Sequence, residues 1–149
     1  VGEVLAAATR RAARVLTVRG DHGIGKTRLL VEVERRLRRG GYNVAFYVAT
    51  CPPRGREHPR SGLVAMLQVL CGVTDGDLPE RILAVQPRLR ALGLQQEEVG
   101  AVLAVLGGQI HPTTGNVSAT LRNAFVRMVA SLCEDRPHVF AWDAAHCMD

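Results

Sequence analysis

The stretch Gly20-Asp21-His22-Gly23-Ile24-Gly25-Lys26-Thr27 narrows the possible folds of this chain more than any other. Lys26 is the only lysine in a chain with nineteen lysines and arginines, so every other fixed positive side chain is arginine. The spacing is G-x-x-x-x-G-K-[ST], a pattern with a mechanism behind it. Glycines reach backbone angles that other residues resist, and several N–H groups can then turn inward on one oxyanion. A helix starting at Thr27 aims its positive end at the same place. Lys26 is then positioned for β- and γ-phosphates, and the Thr27 hydroxyl for magnesium. The expected nucleotide contacts are Gly20, Asp21, His22, Gly23, Ile24, Gly25, Lys26, Thr27 and Arg28. An ordinary glycine-rich turn has no need of lysine followed by threonine.

The flanking residues suit that reading. Arg14-Val15-Leu16-Thr17-Val18-Arg19 alternates apolar and polar residues and is rich in β-branched types, which predicts a first strand. After the loop, Leu29, Leu30, Val33 and Leu37 recur at helical spacing, and Gly40-Gly41 closes that helix. Asn43 to Ala49 is mostly apolar, as a strand buried on both faces of a parallel sheet must be. Strand, loop, helix and strand in this order make a βαβ unit and predict an α/β fold, with a parallel sheet between helical layers.

A lead-in helix is expected over residues 3–13, from their helix propensity. Further on, residues 61–134 read as a mostly helical insert. Its apolar stripes are Leu63, Met66, Leu67 and Leu70, then Val99, Val102, Leu103 and Leu106, then Leu121, Phe125, Met128, Val129 and Leu132. Such stripes predict core. Pro137 to Asp143 reads as an apolar strand ending in an acid, placed to organise magnesium opposite the loop. The plainer role for Asp143 is to cap a turn.

Bulk properties exclude several classes. At 149 residues the chain is long enough for one domain with a real core. No apolar run approaches the length of a membrane span, so no membrane partner is expected and the cytoplasm is the default compartment. Net charge is +5, concentrated in Arg10-Arg11 and in Arg35-Arg36-Leu37-Arg38-Arg39. The second cluster closes a helix, where cations complement the dipole. No aromatic side chain is interleaved with it, so direct nucleic-acid binding is not expected. Cys51, Cys71, Cys133 and Cys147 show no metal-ligand spacing and are expected as buried free thiols. His146-Cys147 lacks the further ligands a metal would need.

Three stretches together resemble a known family. They are the loop from Gly20 to Thr27 with Arg28-Leu29-Leu30, the second strand with Cys51-Pro52-Pro53, and the segment from His138 to Asp149. They are similar to the signal-transduction ATPases of the AAA-like class, the STAND phosphate-loop NTPases of bacterial LuxR-type regulators and of cyclase- and kinase-linked modules. The resemblance implies a three-layer P-loop NTPase domain that binds ATP or ADP with Mg2+, with Thr27 and Asp143 as the magnesium residues. It also implies effector or sensor domains, nucleotide-dependent oligomers and roles such as transcription regulation. Residues 1–149 would form the N-terminal part of that domain, with the phosphate loop at 20–27, the helical insert at about 61–134 and the acid-bearing strand at 138–143.

Two departures stand out. Where the family carries a second acid after the magnesium-ordering aspartate, this chain has Ala144, and Cys147 replaces a tryptophan. Alanine cannot orient water as a general base, so slow hydrolysis is expected with binding retained. The family also places a later strand between the first strand and the acid-bearing one. The chain opens on valine and stops soon after Asp143, so a piece of a longer protein with an incomplete sheet is expected. Two other readings stay open: a small-molecule kinase of the phosphate-loop class, and a degenerate loop in a domain used for protein contacts.

Overall fold

The computed structural model describes residues 2, 6, 12–51, 61–74, 77–109 and 116–145. In chain order the elements are α1 (Lys26–Arg39), β1 (Ala45–Thr50), α2 (Ser61–Cys71), α3 (Pro79–Leu83), α4 (Gln86–Ala91), α5 (Gln96–Leu106), α6 (Val117–Asp135) and β2 (His138–Asp143). Strands β1 and β2 pair in parallel, from Ala45 opposite His138 to Thr50 opposite Asp143. A parallel pair needs a long crossover, and the segment from α2 to α6 provides it. The fold is mixed α/β, as the strand and helix periodicities predict at that level.

The helical crossover packs over one face of the strand pair. Met66, Leu67, Leu89, Val99, Val102, Leu121 and Met128 are almost fully buried in one cluster, and Tyr47, Phe140 and Trp142 of the strands lean against it. Helices α5 and α6 are also joined by charge. Glu98 is buried, accepts the Gln95 N–H at 2.8 Å and takes the Arg127 guanidinium at 3.0 Å. A buried carboxylate is tolerated because both kinds of partner are present. Helix α1 packs against β2, and its Leu37 is 1% exposed. Gly40 and Gly41 end it, returning N–H groups to Arg36 O and Arg38 O, with Gly41 at φ 66°.

Several expectations need correction. Residues 14–19 form no strand: Val15 is 92% exposed and Leu16 58%. Alternation marks residues that suit a pleated surface, but a strand also needs a neighbour for its backbone. Among the described residues the sheet contains β1 and β2 alone. Leu29 is exposed, while Leu30 and Val33 are half-buried, so the inner face of α1 is narrower than its spacing implied. The lead-in helix falls largely outside the described residues, although Gly2 and Ala6 are helical and Ala12 and Ala13 are not. The loop over 52–60 and the segment 146–149, with His146, Cys147 and Asp149, also lie outside them.

Cys51 and Cys71 are buried thiols, as expected, but Cys133 is exposed at the end of α6. Burial pushes the Cys71 thiol up to about 11 from 9.0, against a smaller opposing pull from Arg88. A raised folded-state value favours the protonated thiol, so its stabilising effect is complete below pH 9 and disappears as pH rises through about 11. Two units correspond to about 3 kcal/mol at most. Denaturant midpoints measured from pH 7 to pH 11 should fall more steeply for the wild type than for Cys71→Ala above pH 9. Equal slopes would contradict the burial argument.

Candidate functional site

The loop before α1 carries the backbone features that an anion cradle requires. Gly23 and Gly25 sit at φ 82° and 97°, in the left-handed region that disfavours side chains. The loop is closed by Ile24 N–H donating to Asp21 O at 3.4 Å. The helical ladder begins with Leu29 N–H to Gly25 O at 2.9 Å, and no side chain caps the helix start. The N–H groups of Lys26, Thr27 and Arg28 precede that first bond and are the orphan donors of a helix N-terminus. Ile24 is 68% exposed and Thr27 is also exposed, so the cradle lies open on the surface.

Lys26 holds the loop together from within. Its ammonium donates to Gly20 O at 2.8 Å and to Asp21 O at 2.7 Å. An ammonium has three donors, so one remains for a ligand. Arginine spreads its charge over a planar fork of five N–H groups, whereas lysine presents one compact ammonium. The one exception to arginine in this chain falls where both loop carbonyls meet at a single nitrogen.

Thr27 and Asp143 meet although they are far apart in sequence. The Thr27 hydroxyl donates to Asp143 Oδ2 at 2.8 Å, and the other carboxylate oxygen accepts the Ala144 N–H at 3.0 Å. Asp143 ends β2, and its main-chain oxygen takes the Cys51 N–H at 3.0 Å, extending the strand pairing by one residue. Ala144 then leaves the strand at φ 56°, the one non-glycine residue at positive φ among those described. That conformation costs about 1 kcal/mol for an L-residue. In exchange it directs the N–H onto the carboxylate.

A hydroxyl and a carboxylate oxygen in contact are suitable donors for a hard cation. Mg2+ is usually held by one or two such groups, with waters and substrate phosphates completing its shell. Thr27 and Asp143 fit that role. They do not form a complete protein cage, and no group of three or more His, Cys, Asp or Glu suited to a metal occurs among the described residues.

The basic cluster on α1 is partly neutralised within the helix, two carboxylates facing its four arginines. Glu32 pairs with Arg35 at 2.6 Å and Arg36 at 2.9 Å, and Glu34 with Arg38 at 2.7 Å. The hydrogen bond from Arg36, with help from Arg35, holds the Glu32 carboxyl below its ordinary range. Exposed pairs contribute little to stability, but these leave less free charge for a polyanion. No helix among the described residues is long and apolar enough to cross a membrane.

Depressions of about 280 and 350 Å3 lie elsewhere, around α5 and the start of α6, lined by Glu97, Asn116 and Thr120. They are shallow, and neither gathers the convergent donors found at the loop. Sequence reasoning missed the indole of Trp142, which donates to Gly62 O at 2.8 Å beside the acid. A lone tryptophan one residue before the candidate acid was the available signal. No family model matches the chain, and no curated protein or solved structure is significantly similar to it.

Proposed function

We propose that this chain is the ATP-binding module of a multidomain signalling ATPase of the STAND type, a nucleotide-held switch with slow hydrolysis. The observation that carries the reading is the 2.8 Å contact between Thr27 Oγ1 and Asp143 Oδ2, made across 116 residues by the two magnesium candidates. In this reading Gly23 and Gly25 open the loop to phosphate, Lys26 and the helix N-terminus neutralise it, and Thr27 with Asp143 holds Mg2+. Bound magnesium would screen the phosphate charge and fix the geometry of the tail. The output would lie in effector or sensor domains and in nucleotide-dependent assembly.

The small-molecule kinase reading has less support. It expects residues 14–19 as a strand on the free edge of β2, and they form none. Titration of the chain with a fluorescent ATP analogue tests the proposal. Saturable binding that tightens with Mg2+, competed by ATP and pyrophosphate but not by adenosine, is the expected result. Absence of saturation, or competition by adenosine equal to that by ATP, would point instead to a loop kept only for protein contacts.

A further inference from the structure

Neighbouring residues of a strand project to opposite faces, so Trp142 and Asp143 serve different layers. Asp143 meets Thr27 at the start of α1. Trp142 reaches the other way, into the helical crossover. Its Nε1–H donates to Gly62 O at the start of α2, and its ring lies edge-on to Phe125 of α6 at 6.4 Å and 61°. A half-buried indole N–H is costly to leave unpaired, so this bond fixes the ring's position.

The position of that bond along β2 makes it matter. Asp143 is the last residue of the strand, and Ala144 already turns away. Strand ends open at low free energy unless side chains tie them down. The side chain of Asp143 contacts Thr27 and the adjacent Ala144 N–H, and both of those groups lie on or beside the candidate site. The main chain of Asp143 is held to Cys51 of β1, and Trp142 is the nearest residue whose side chain is anchored outside the site.

We propose that Trp142 is a positioning residue, whose hydrogen bond to Gly62 O holds the end of β2 so that the Asp143 carboxylate stays in register with Thr27 for magnesium. The inference rests on the nucleotide reading above. It assigns the indole an effect on the metal-dependent part of binding alone. A residue that merely filled the core would affect folding stability and leave the response to magnesium unchanged.

Trp142→Phe keeps an aromatic ring against Phe125 and removes the N–H. A fluorescent ATP analogue titrated at graded Mg2+ on wild type, Trp142→Phe, Asp143→Asn and the double variant gives the test. Metal-free affinity should agree within about twofold between wild type and Trp142→Phe, while the half-saturating Mg2+ concentration rises roughly fivefold, as loss of one ordinary hydrogen bond allows. Trp142→Phe should add nothing in the Asp143→Asn background, because the effect passes through that carboxylate. A lowered melting temperature with an unchanged magnesium response overturns the proposal, as does an equal shift in the double variant.

Trp142 is the sole tryptophan, which supplies a second measurement that needs no change at that position. With ATP present, added Mg2+ should alter its emission in wild type and not in Asp143→Asn. No change in wild type overturns the positioning role. If wild type binds no ATP at all, or Asp143→Asn retains the full magnesium response, the nucleotide reading fails first and takes this inference with it.

Discussion

Lys26→Ala is expected to weaken ATP binding roughly 10- to 100-fold, the range for losing one charge-assisted hydrogen bond to a phosphate. The same ammonium bonds Gly20 O and Asp21 O, so the substitution also releases the loop it braces. Lys26→Gln separates these effects, because an amide can still donate to a carbonyl but brings no charge. Binding by Lys26→Gln should remain close to that of Lys26→Ala if charge dominates, and recover several-fold if loop closure does. The contacts are exposed, so the unfolding free energy should move by no more than about 0.5 kcal/mol in either variant. Titration of the three proteins with a fluorescent ATP analogue, alongside denaturant melts, reads both quantities. Equal affinity in wild type and Lys26→Ala would remove the basis of the nucleotide reading.

Legibility in the sequence followed how local each determinant is. The apolar stripes at Met66 to Leu70, Val99 to Leu106 and Leu121 to Met128 recur within single helices, and their residues are buried except for Leu103 and Phe125, which are half-buried against the core. The strand ending at Asp143 was legible for the same reason, since a short apolar run bounded by Pro137 and a terminal acid needs no distant information. Residues 14–19 show the opposite case. Their alternation is as good as that of a strand, yet strand pairing is a property of two segments, and no described neighbour pairs with them. Cys133 was misplaced because helical spacing alone does not tell which turn of α6 runs past the core. The Glu98–Arg127 pair and the Trp142–Gly62 bond join residues 29 and 80 positions apart, and no periodicity reports such distances. At the candidate site the loop was readable from its own spacing. Its approach to Asp143 was expected from an apolar strand ending in an acid once the loop was read, and Ala144's backbone was not readable at all.

That backbone decides what restoring an acid at position 144 would do. On the proposed reading the wild-type chain binds ATP and turns it over slowly, because Ala144 has no lone pair to orient water. Ala144→Glu is expected to raise the hydrolysis rate roughly 10²-fold, the lower part of what a positioned general base contributes. The full contribution is not expected, because residue 144 lies at φ 56° and not in extended strand geometry, so a carboxylate there leaves the sheet at a different angle. Ala144→Asp tests that limit, since aspartate tolerates the left-handed region better than glutamate but has a shorter reach. Ala144→Gly is the control: it relieves the strain, keeps the N–H to Asp143 Oδ1 and adds no base. Phosphate release under saturating ATP and Mg2+ should rank glutamate or aspartate well above alanine and glycine, with affinity changed less than severalfold. If all four proteins bind ATP and hydrolyse it at the same rate, the missing acid is not what slows this site. The limiting group would then have to be sought among donors to the γ-phosphate, with Lys26 and the loop N–H groups the first to examine.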